Sequence, residues 1–161
     1  MALDDDSRIL GTVGLFESFT PEQLRLLAFG AERLVLRAGR ELFREGQSAD
    51  CAYIVVSGNI TLFHEQDEGR IAIRPVGPGA MIGEMGLFSV GNRRMSGARA
   101  MGPVRAYRMA YRDFEQHYFQ NPQFGLYLVR LMVRRLESNL SRYSGGKAGP
   151  VAAAAPPGLN S

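Results

Sequence analysis

The sequence predicts a mainly β protein, an antiparallel β jelly roll or barrel flanked by N-terminal helices and a long C-terminal helix. Short β-type runs punctuated by glycine extend from about residue 33 to residue 109, and a new run begins roughly every ten residues. Helical periodicity appears before this region and again after it. A barrel of this kind leaves few exposed strand edges and encloses a pocket about the size of one small ligand.

The N-terminal region is predicted to form two helices. The second begins at Thr20, which can act as the cap, Pro21, which suits the first helical position, and Gln23, which can complete a capping box. The apolar face that follows consists of Leu24, Leu27 and Ala28. Apolar residues upstream indicate a shorter first helix that ends near Gly14; they are Ile9, Leu10 and Val13.

The central region is predicted to contain the strands. The predicted strands include residues 34–36, 52–56, 60–63, 71–73 and 104–109. The glycines that separate them are Gly39, Gly46, Gly58, Gly69, Gly77, Gly79 and Gly91. Their intervals suit an antiparallel jelly roll or sandwich.

Helical periodicity returns at residues 111–115, and after Asn121 and Pro122 a longer helix is predicted from about residue 123 to residue 143. Its apolar stripe consists of Phe124, Leu128, Leu131, Met132, Leu136 and Leu140. This stripe either packs on the barrel or faces the same helix of a second copy in a homodimer, and the two alternatives are equally supported. Residues 144–161, rich in Gly, Ala and Pro, predict a flexible tail, so the folded domain would span residues 1–143.

Composition indicates one globular domain of an ordinary class. The 161 residues are 45% hydrophobic and 22% charged, with a formal net charge of +3, and mild basicity of this kind is a weak argument for nucleic-acid binding. Cys51 is the only cysteine, so no intrachain disulfide can form, and a buried apolar role is favoured for it. An acidic N-terminus and the absence of a long apolar run predict a cytoplasmic protein without membrane insertion.

The segment from residue 82 to residue 98, here called the cassette, carries the most informative pattern. Gly83 and Gly86 flank the carboxylate of Glu84, and Arg93 and Arg94 follow. Backbone NH groups at a helix start and a forked guanidinium are well suited to a phosphate, whereas a carboxylate is a good acceptor for a ribose hydroxyl. The order of residues therefore predicts a sugar-phosphate site.

The cassette resembles the phosphate-binding cassette of the cyclic nucleotide-binding domain family, which includes catabolite-activator-like (CRP-like) bacterial regulators, cAMP-dependent kinase regulatory subunits and nucleotide-gated channels. The resemblance begins near residues 15–16 and continues to about residues 121–122. Glycine turns at the family's spacing support it, at residues 39, 45–46, 53–58 and 77–79. It implies a cyclic nucleotide as ligand, with cAMP favoured over cGMP.

The resemblance also implies a role for each cassette residue. Gly83 and Glu84 would lie at the base of the ligand, with Glu84 accepting a hydrogen bond from the ribose 2′-hydroxyl. Backbone NH groups would face the cyclic phosphate at Glu84, Met85, Gly86 and Leu87, and Gly86 would allow close approach. Arg94 would bind two phosphate oxygens. Taken singly, each of these could be an ordinary turn, helix-start or surface residue.

The residues that follow Arg94 depart from the family pattern. Met95, Ser96 and Gly97 follow the arginine, where many members have Ser or Thr and then Ala or Thr. Met95 cannot donate to a phosphate or to a guanine, which argues against cGMP, and Ser96 can still supply a hydroxyl. Arg93 is the alternative phosphate ligand if the register differs by one residue.

The long C-terminal helix is expected to cover the base. The resemblance places the covering residues near Leu136, Asn139 and Leu140, of which only Asn139 can hydrogen-bond an adenine edge. Arg134 and Arg135 either stack on the base or form ion pairs at the surface, and the surface role is favoured.

No catalytic or metal-binding pattern is present. His64 and His117 are far apart, and neither has a His or Cys at ligand spacing. Ser57 lacks the Gly-x-Ser-x-Gly elbow, and Cys51 has no evident base. We therefore expect a protein that is not an enzyme and needs no cofactor.

These observations predict a cyclic-nucleotide sensor in which ligand binding repositions the C-terminal helix, with the signal passed to an unidentified protein partner or a second copy. A winged helix-turn-helix needs roughly 50 further residues, so no output domain and no DNA binding by the chain itself are expected. The alternative is a degenerate module that has lost the nucleotide and acts as a ligand-free interaction domain.

Overall fold

The computed structural model describes the backbone of residues 2–85 and 91–145, and the side chains of residues 3–85, 91–117 and 119–137. The helices are α1 (Ala2–Gly11), a short 3-10 turn (Gly14–Phe16), α2 (Pro21–Gly30), α3 (Tyr111–Gln120) and α4 (Pro122–Gly145). The strands are β1 (Glu32–Leu36), β2 (Glu41–Phe43), β3 (Cys51–Ser57), β4 (Ile60–Gln66), β5 (Gly69–Val76), β6 (Met81–Ile82), β7 (Gly97–Ala100) and β8 (Val104–Ala110).

The strands form two antiparallel four-stranded sheets, with the orders β1-β8-β3-β6 and β2-β7-β4-β5. This is the jelly-roll arrangement that the sequence predicts, so the fold class is confirmed. The apolar core between the sheets includes Tyr53 and Val55 from β3, Ile82 from β6 and Leu62 from β4. The sheets pack face to face because alternate residues of each strand point inward.

The three strands that the sequence did not predict, β2, β6 and β7, are the shortest in the fold. Strand β7 contains Gly97, Ala98 and Ala100, which are poor strand formers. A Cβ on Gly97 would lie 2.4 Å from Cζ of Phe63, so the glycine allows the Phe63 ring to cover the strand. Strand β6 pairs with β3 through Tyr53 and Ile82, which places the start of the cassette beside the first residues of β3.

The N-terminal helices follow the predicted chemistry. Thr20 and Gln23 form the predicted capping box: the Gln23 backbone NH donates to Thr20 Oγ1 (3.1 Å), and the Thr20 NH donates to Gln23 Oε1 (3.0 Å). Helix α1 ends at Gly11, and the 3-10 turn follows separately. The Asp6 carboxylate accepts hydrogen bonds from Arg33 Nε and from the Tyr107 hydroxyl, so α1 is held against β1 and β8.

Helix α4 divides its apolar stripe between two environments. Phe124 and Leu128 are buried and pack with the N-terminal helices, and Leu131 packs partly against the same cluster, whereas Leu136 is 37% exposed. The first half of the predicted stripe therefore packs against the domain itself, whereas Leu136 in the second half does not. The helix also includes Ser144 and Gly145, which the sequence assigned to the tail, and the rest of the predicted tail lies outside the described residues.

Among the helices of the described ranges, none combines the length and the apolar character that a membrane span requires.

Candidate functional site

Arg94, the predicted phosphate ligand, points into the interior between the two sheets. Its NH donates to the Gln47 carbonyl (2.8 Å), and its carbonyl accepts from the Gly46 NH (2.8 Å). These bonds hold residues 93–94 against the turn before β3, so successive side chains alternate in direction. Arg93 is exposed and donates to the Gly46 carbonyl (3.1 Å), whereas Arg94 is only 4% exposed. The structure thus places Arg94, and not Arg93, inside.

The environment of the Arg94 guanidinium leaves its charge poorly compensated. Nη1 lies 3.4 Å from the Gly83 carbonyl oxygen and 3.5 Å from the Tyr111 hydroxyl, and Nη2 lies 3.3 Å from Cys51 Sγ. The two Nη1 distances are long for charge-assisted hydrogen bonds, and the Cys51 thiol is a weak, uncharged acceptor. Cζ lies 4.2 Å from the centre of the Phe43 ring. Within residues 3–85, 91–117 and 119–137, Nε has no hydrogen-bond partner and no carboxylate pairs with Arg94.

A buried cation in this state is well suited to bind an anion. Removing a charge from water is expensive unless a partner of opposite charge and matching geometry is supplied. A phosphate can accept two parallel bonds from a guanidinium. The geometry around Arg94 is therefore compatible with the phosphate ligand that the sequence predicts for it.

Glu84, the predicted ribose ligand, is also buried, with 2% exposure. Arg135 of α4 forms an ion pair with its Oε1, while Oε2 has no hydrogen-bond partner in the described part of the chain. Burial raises the pKa of the Glu84 carboxyl, and the Arg135 charge opposes that shift. One oxygen is thus held by α4, and the other remains able to accept from a hydroxyl donor.

The surface role expected for Arg135 is wrong. Its side chain is 12% exposed, and Nη2 donates to the Met81 carbonyl in β6 (2.8 Å). A carboxylate in a low-dielectric site attracts a nearby cation strongly enough to draw a long side chain inward. Arg134, by contrast, is exposed, and its Cζ lies 6.0 Å from the centre of the Tyr127 ring.

The backbone conformation at position 83 and the closeness of Arg94 both require a glycine there. Its φ is +87°, and a Cβ added there would lie 2.5 Å from Nη1 of Arg94. Its carbonyl accepts a hydrogen bond from the Tyr111 hydroxyl, and burial raises the pKa of that hydroxyl, so it stays a donor at neutral pH. The glycine therefore lets the cassette backbone touch the guanidinium directly.

The remaining predicted site residues are placed as follows. Met85 is buried, Met95 is half-buried, and Ser96, the residue before β7, is fully buried. Gly86, Leu87 and the side chain of Asn139 lie outside the described residues. Their predicted roles stay predictions.

Sequence reasoning did not predict three contacts of the site: those of Cys51 and Tyr111 with Arg94, and that of Arg135 with Glu84. A signal for Arg135 was available, because it lies seven residues after Leu128 and four before Asn139, on the buried face of the same helix. No local pattern marks Cys51 or Tyr111, since both reach Arg94 only through strand pairing, in which Cys51 lies opposite Ala110.

The two histidines and the acidic side chains of the described ranges form no metal-binding cluster. Within the described ranges, no three His, Cys, Asp or Glu side chains are grouped so that they could hold a metal ion. His64 pairs with Glu45 (3.1 Å), and burial lowers the pKa of His117, which packs on the Phe19 ring.

Comparison with known proteins gives a consistent result. The sequence model of the cyclic nucleotide-binding domain matches residues 33–121, a range that contains the whole cassette. The chain is 29% identical over 129 residues to the CRP-like cAMP-activated global transcriptional regulator of Mycobacterium tuberculosis, covering 80% of this chain and 57% of that protein. The chain spans about half the length of the curated relatives it matches.

Two solved structures extend the comparison. A cyclic nucleotide-binding-like protein from Brucella abortus is 69% identical, with a TM-score of 0.59 over 70% of this chain and 96% of that chain. The Thermus thermophilus catabolite activator protein is 27% identical, with a TM-score of 0.68 over 77% of this chain and 58% of that chain.

Proposed function

Because this chain belongs to the cyclic nucleotide-binding domain family, we propose that it is a sensor that binds a cyclic nucleotide, with cAMP preferred, between the cassette and helix α4. The observation that carries the proposal is a pair of buried polar groups without hydrogen-bond partners in the described ranges, Arg94 Nε and Glu84 Oε2. One is a cationic donor and the other an acceptor. A cyclic ribose phosphate offers the matching acceptor and donor in one small molecule.

The phosphate would lie against Arg94 and the backbone NH groups that follow Gly83. The Tyr111 hydroxyl and the Gly83 carbonyl fix the floor of this site, and Phe43 excludes water from one side of the guanidinium. Electrostatic attraction in such a dry site is stronger than at the surface. The ribose 2′-hydroxyl would donate to Oε2 of Glu84.

The residue after the arginine argues against selectivity for cGMP, and the preference for cAMP rests on the family resemblance. Met95 offers no hydroxyl to a guanine or to the phosphate, so neither purine gains a bond there. Gly97, in contrast, is explained by its contact with Phe63, and it gives no reason to infer that the ligand was lost. The alternative function, a ligand-free interaction module, is therefore supported by Met95 alone.

Helix α4 would report occupancy through Arg135. This side chain joins α4 to Glu84 and to the Met81 carbonyl, so a change at the Glu84 carboxylate acts directly on the helix. A ligand can shift the helix only by the difference between its affinities for the two helix positions. A ribose hydroxyl that shares the carboxylate with Arg135 supplies such a difference.

Isothermal titration calorimetry with four ligands tests the proposal. We expect cAMP to bind, cGMP to bind more weakly, 2′-deoxy-cAMP to lose about tenfold in affinity because Glu84 loses its donor, and 5′-AMP to bind poorly. Binding should also raise the melting temperature. If none of the four ligands binds, the ligand-free module is the correct function.

We also propose that α4 forms a homodimer. Its outward face carries apolar residues at steps of three, four and three: Leu126, Val129, Val133 and Leu136, which are 51%, 44%, 49% and 37% exposed. This is the spacing of a two-stranded coiled-coil seam. The seam is separate from the buried face that holds Phe124 and Leu128, so both faces of the helix have a role.

Val133→Glu is expected to convert the dimer to a monomer, because two carboxylates would face each other in an apolar seam. Light scattering coupled to size exclusion over a range of concentrations measures this. Arg134→Glu, which also introduces one carboxylate but off the seam and with a larger change in net charge, should leave the dimer intact. A wild-type chain that is monomeric throughout, or a Val133→Glu variant that is still dimeric, contradicts the seam.

A further inference from the structure

Cys51 lies at the centre of the site and has no part in the proposed nucleotide contacts. It is the only cysteine, is 2% exposed, and begins β3 with its Sγ 3.3 Å from Nη2 of Arg94. Arg94 beside it is only 4% exposed, and its Nε has no partner among the described side chains and backbone groups. The Cys51 thiol is thus in direct contact with a buried guanidinium that has no carboxylate partner in the described ranges.

We propose that Cys51 is an oxidative modification site, at which peroxide converts the thiol to an anion that occupies Arg94 and blocks the nucleotide phosphate. The proposal rests on the proposed function, because it assigns regulation to the same site. The modified side chain would act as an internal substitute for the phosphate. Oxidation would therefore switch nucleotide binding off.

The chemistry proceeds in two steps. In the first, the Cys51 sulfur attacks one oxygen of hydrogen peroxide, an S–O bond forms as the O–O bond breaks, and the thiol proton passes to the departing hydroxide, which leaves as water and gives the sulfenic acid. The sulfur loses two electrons, and the peroxide gains them. A second peroxide transfers an oxygen to the sulfenic acid sulfur in the same way and gives the sulfinic acid and a second water. The sulfinic acid releases its proton to solvent and is the anionic sulfinate at neutral pH.

The position of Arg94 favours this outcome. A guanidinium stabilises an adjacent oxyanion by charge-assisted hydrogen bonds, and the sulfinate oxygens would lie beside guanidinium nitrogens that now contact only neutral groups. Any route that admits a cyclic phosphate to Arg94 also admits peroxide to Sγ, since the two groups are in contact and peroxide is the smaller molecule. Bound nucleotide should in turn protect the thiol.

Peroxide treatment of the full chain, followed by peptide mass mapping and calorimetry with cAMP, tests the proposal. We expect Cys51 to gain two oxygens, and the modified molecules to bind cAMP at least about tenfold more weakly than unmodified ones. The number of tight binding sites should therefore fall as the modified fraction rises. Prior saturation with cAMP should suppress the modification. Cys51→Ala should show no change in affinity on the same treatment, which excludes an effect of methionine oxidation. A native thiol that stays unmodified, or a sulfinate form with unchanged affinity, overturns the proposal.

Two substitutions give a test without peroxide. Cys51→Asp places a carboxylate beside Arg94, and Cys51→Asn places a neutral group of the same size. We expect the Asp variant to bind cAMP at least about tenfold more weakly than the Asn variant, and equal affinities would contradict the charge mechanism. If the untreated wild type binds no nucleotide, the proposed function fails and regulation of binding fails with it, whereas mass mapping still reports whether the thiol is reactive.

Discussion

Replacing Arg94 with alanine is expected to lower the affinity for cAMP by about two to three orders of magnitude. Truncating one partner of a buried, hydrogen-bonded charge pair typically costs about 3–4 kcal/mol, and each tenfold change in affinity corresponds to about 1.4 kcal/mol. Arg94 qualifies because it is buried and the described residues supply no carboxylate that pairs with it. Calorimetry with cAMP measures the loss.

The matched control is Arg93→Ala, which removes the neighbouring arginine from the exposed side of the same segment. It should bind cAMP nearly as well as the wild type, since the Arg93 guanidinium contacts the Gly46 carbonyl outside the barrel. Without ligand, Arg94→Ala should melt no lower than Arg93→Ala, because it removes a buried charge with poor partners. Equal cAMP affinities for the two variants would contradict the assignment of the phosphate site.

The parts of the fold predicted from sequence are those governed by local rules. The capping box at Thr20 follows from side-chain chemistry within four residues, and the long strands and α4 follow from periodicity. Gly83 and Arg94 were found because the cassette keeps its chemistry in one short segment. The short strands β6 and β7 were missed, since their pairing with distant strands, and not their own composition, makes them strands.

The contacts that sequence reasoning could not supply join distant segments. Cys51 approaches Arg94 because the Ser48–Arg93 bridge joins the turn before β3 to the end of the cassette. Arg135 approaches Glu84 because α4 folds back over the cassette. Charge patterning alone favoured an exposed Arg135, as it does for most helical arginines. The buried carboxylate reverses that preference, and its burial is a property of the whole fold.

Replacing Arg135 with alanine is expected to destabilise the ligand-free protein by about 3 kcal/mol near neutral pH, because it leaves a buried carboxylate without its cation. For a chain of this size, that corresponds to a fall in melting temperature of about 6–12 °C. Differential scanning calorimetry measures the fall. Hydrogen exchange along α4 shows whether the helix detaches from the cassette before the barrel unfolds.

The effect of Arg135→Ala should depend on pH with a defined sign. Burial raises the pKa of Glu84 above its ordinary value of 4.5, so ionisation of this carboxyl lowers the free energy of unfolding. The loss of stability is absent below about pH 4.5 and grows as the pH rises above that value. Arg135 offsets the cost only when Glu84 is ionised. The gap in melting temperature between wild type and variant should therefore be small near pH 4.5 and larger near pH 7.5.

A double variant separates the ion pair from simple loss of packing. Glu84→Gln combined with Arg135→Ala removes both charges, so it should recover most of the lost stability and its difference from wild type should no longer grow with pH. Arg134→Ala, which truncates the exposed neighbour on the same helix, should change the melting temperature little. If Arg135→Ala and Arg134→Ala melt alike at every pH, the guanidinium does not hold the Glu84 carboxylate, and α4 lacks the link through which a bound nucleotide would move it.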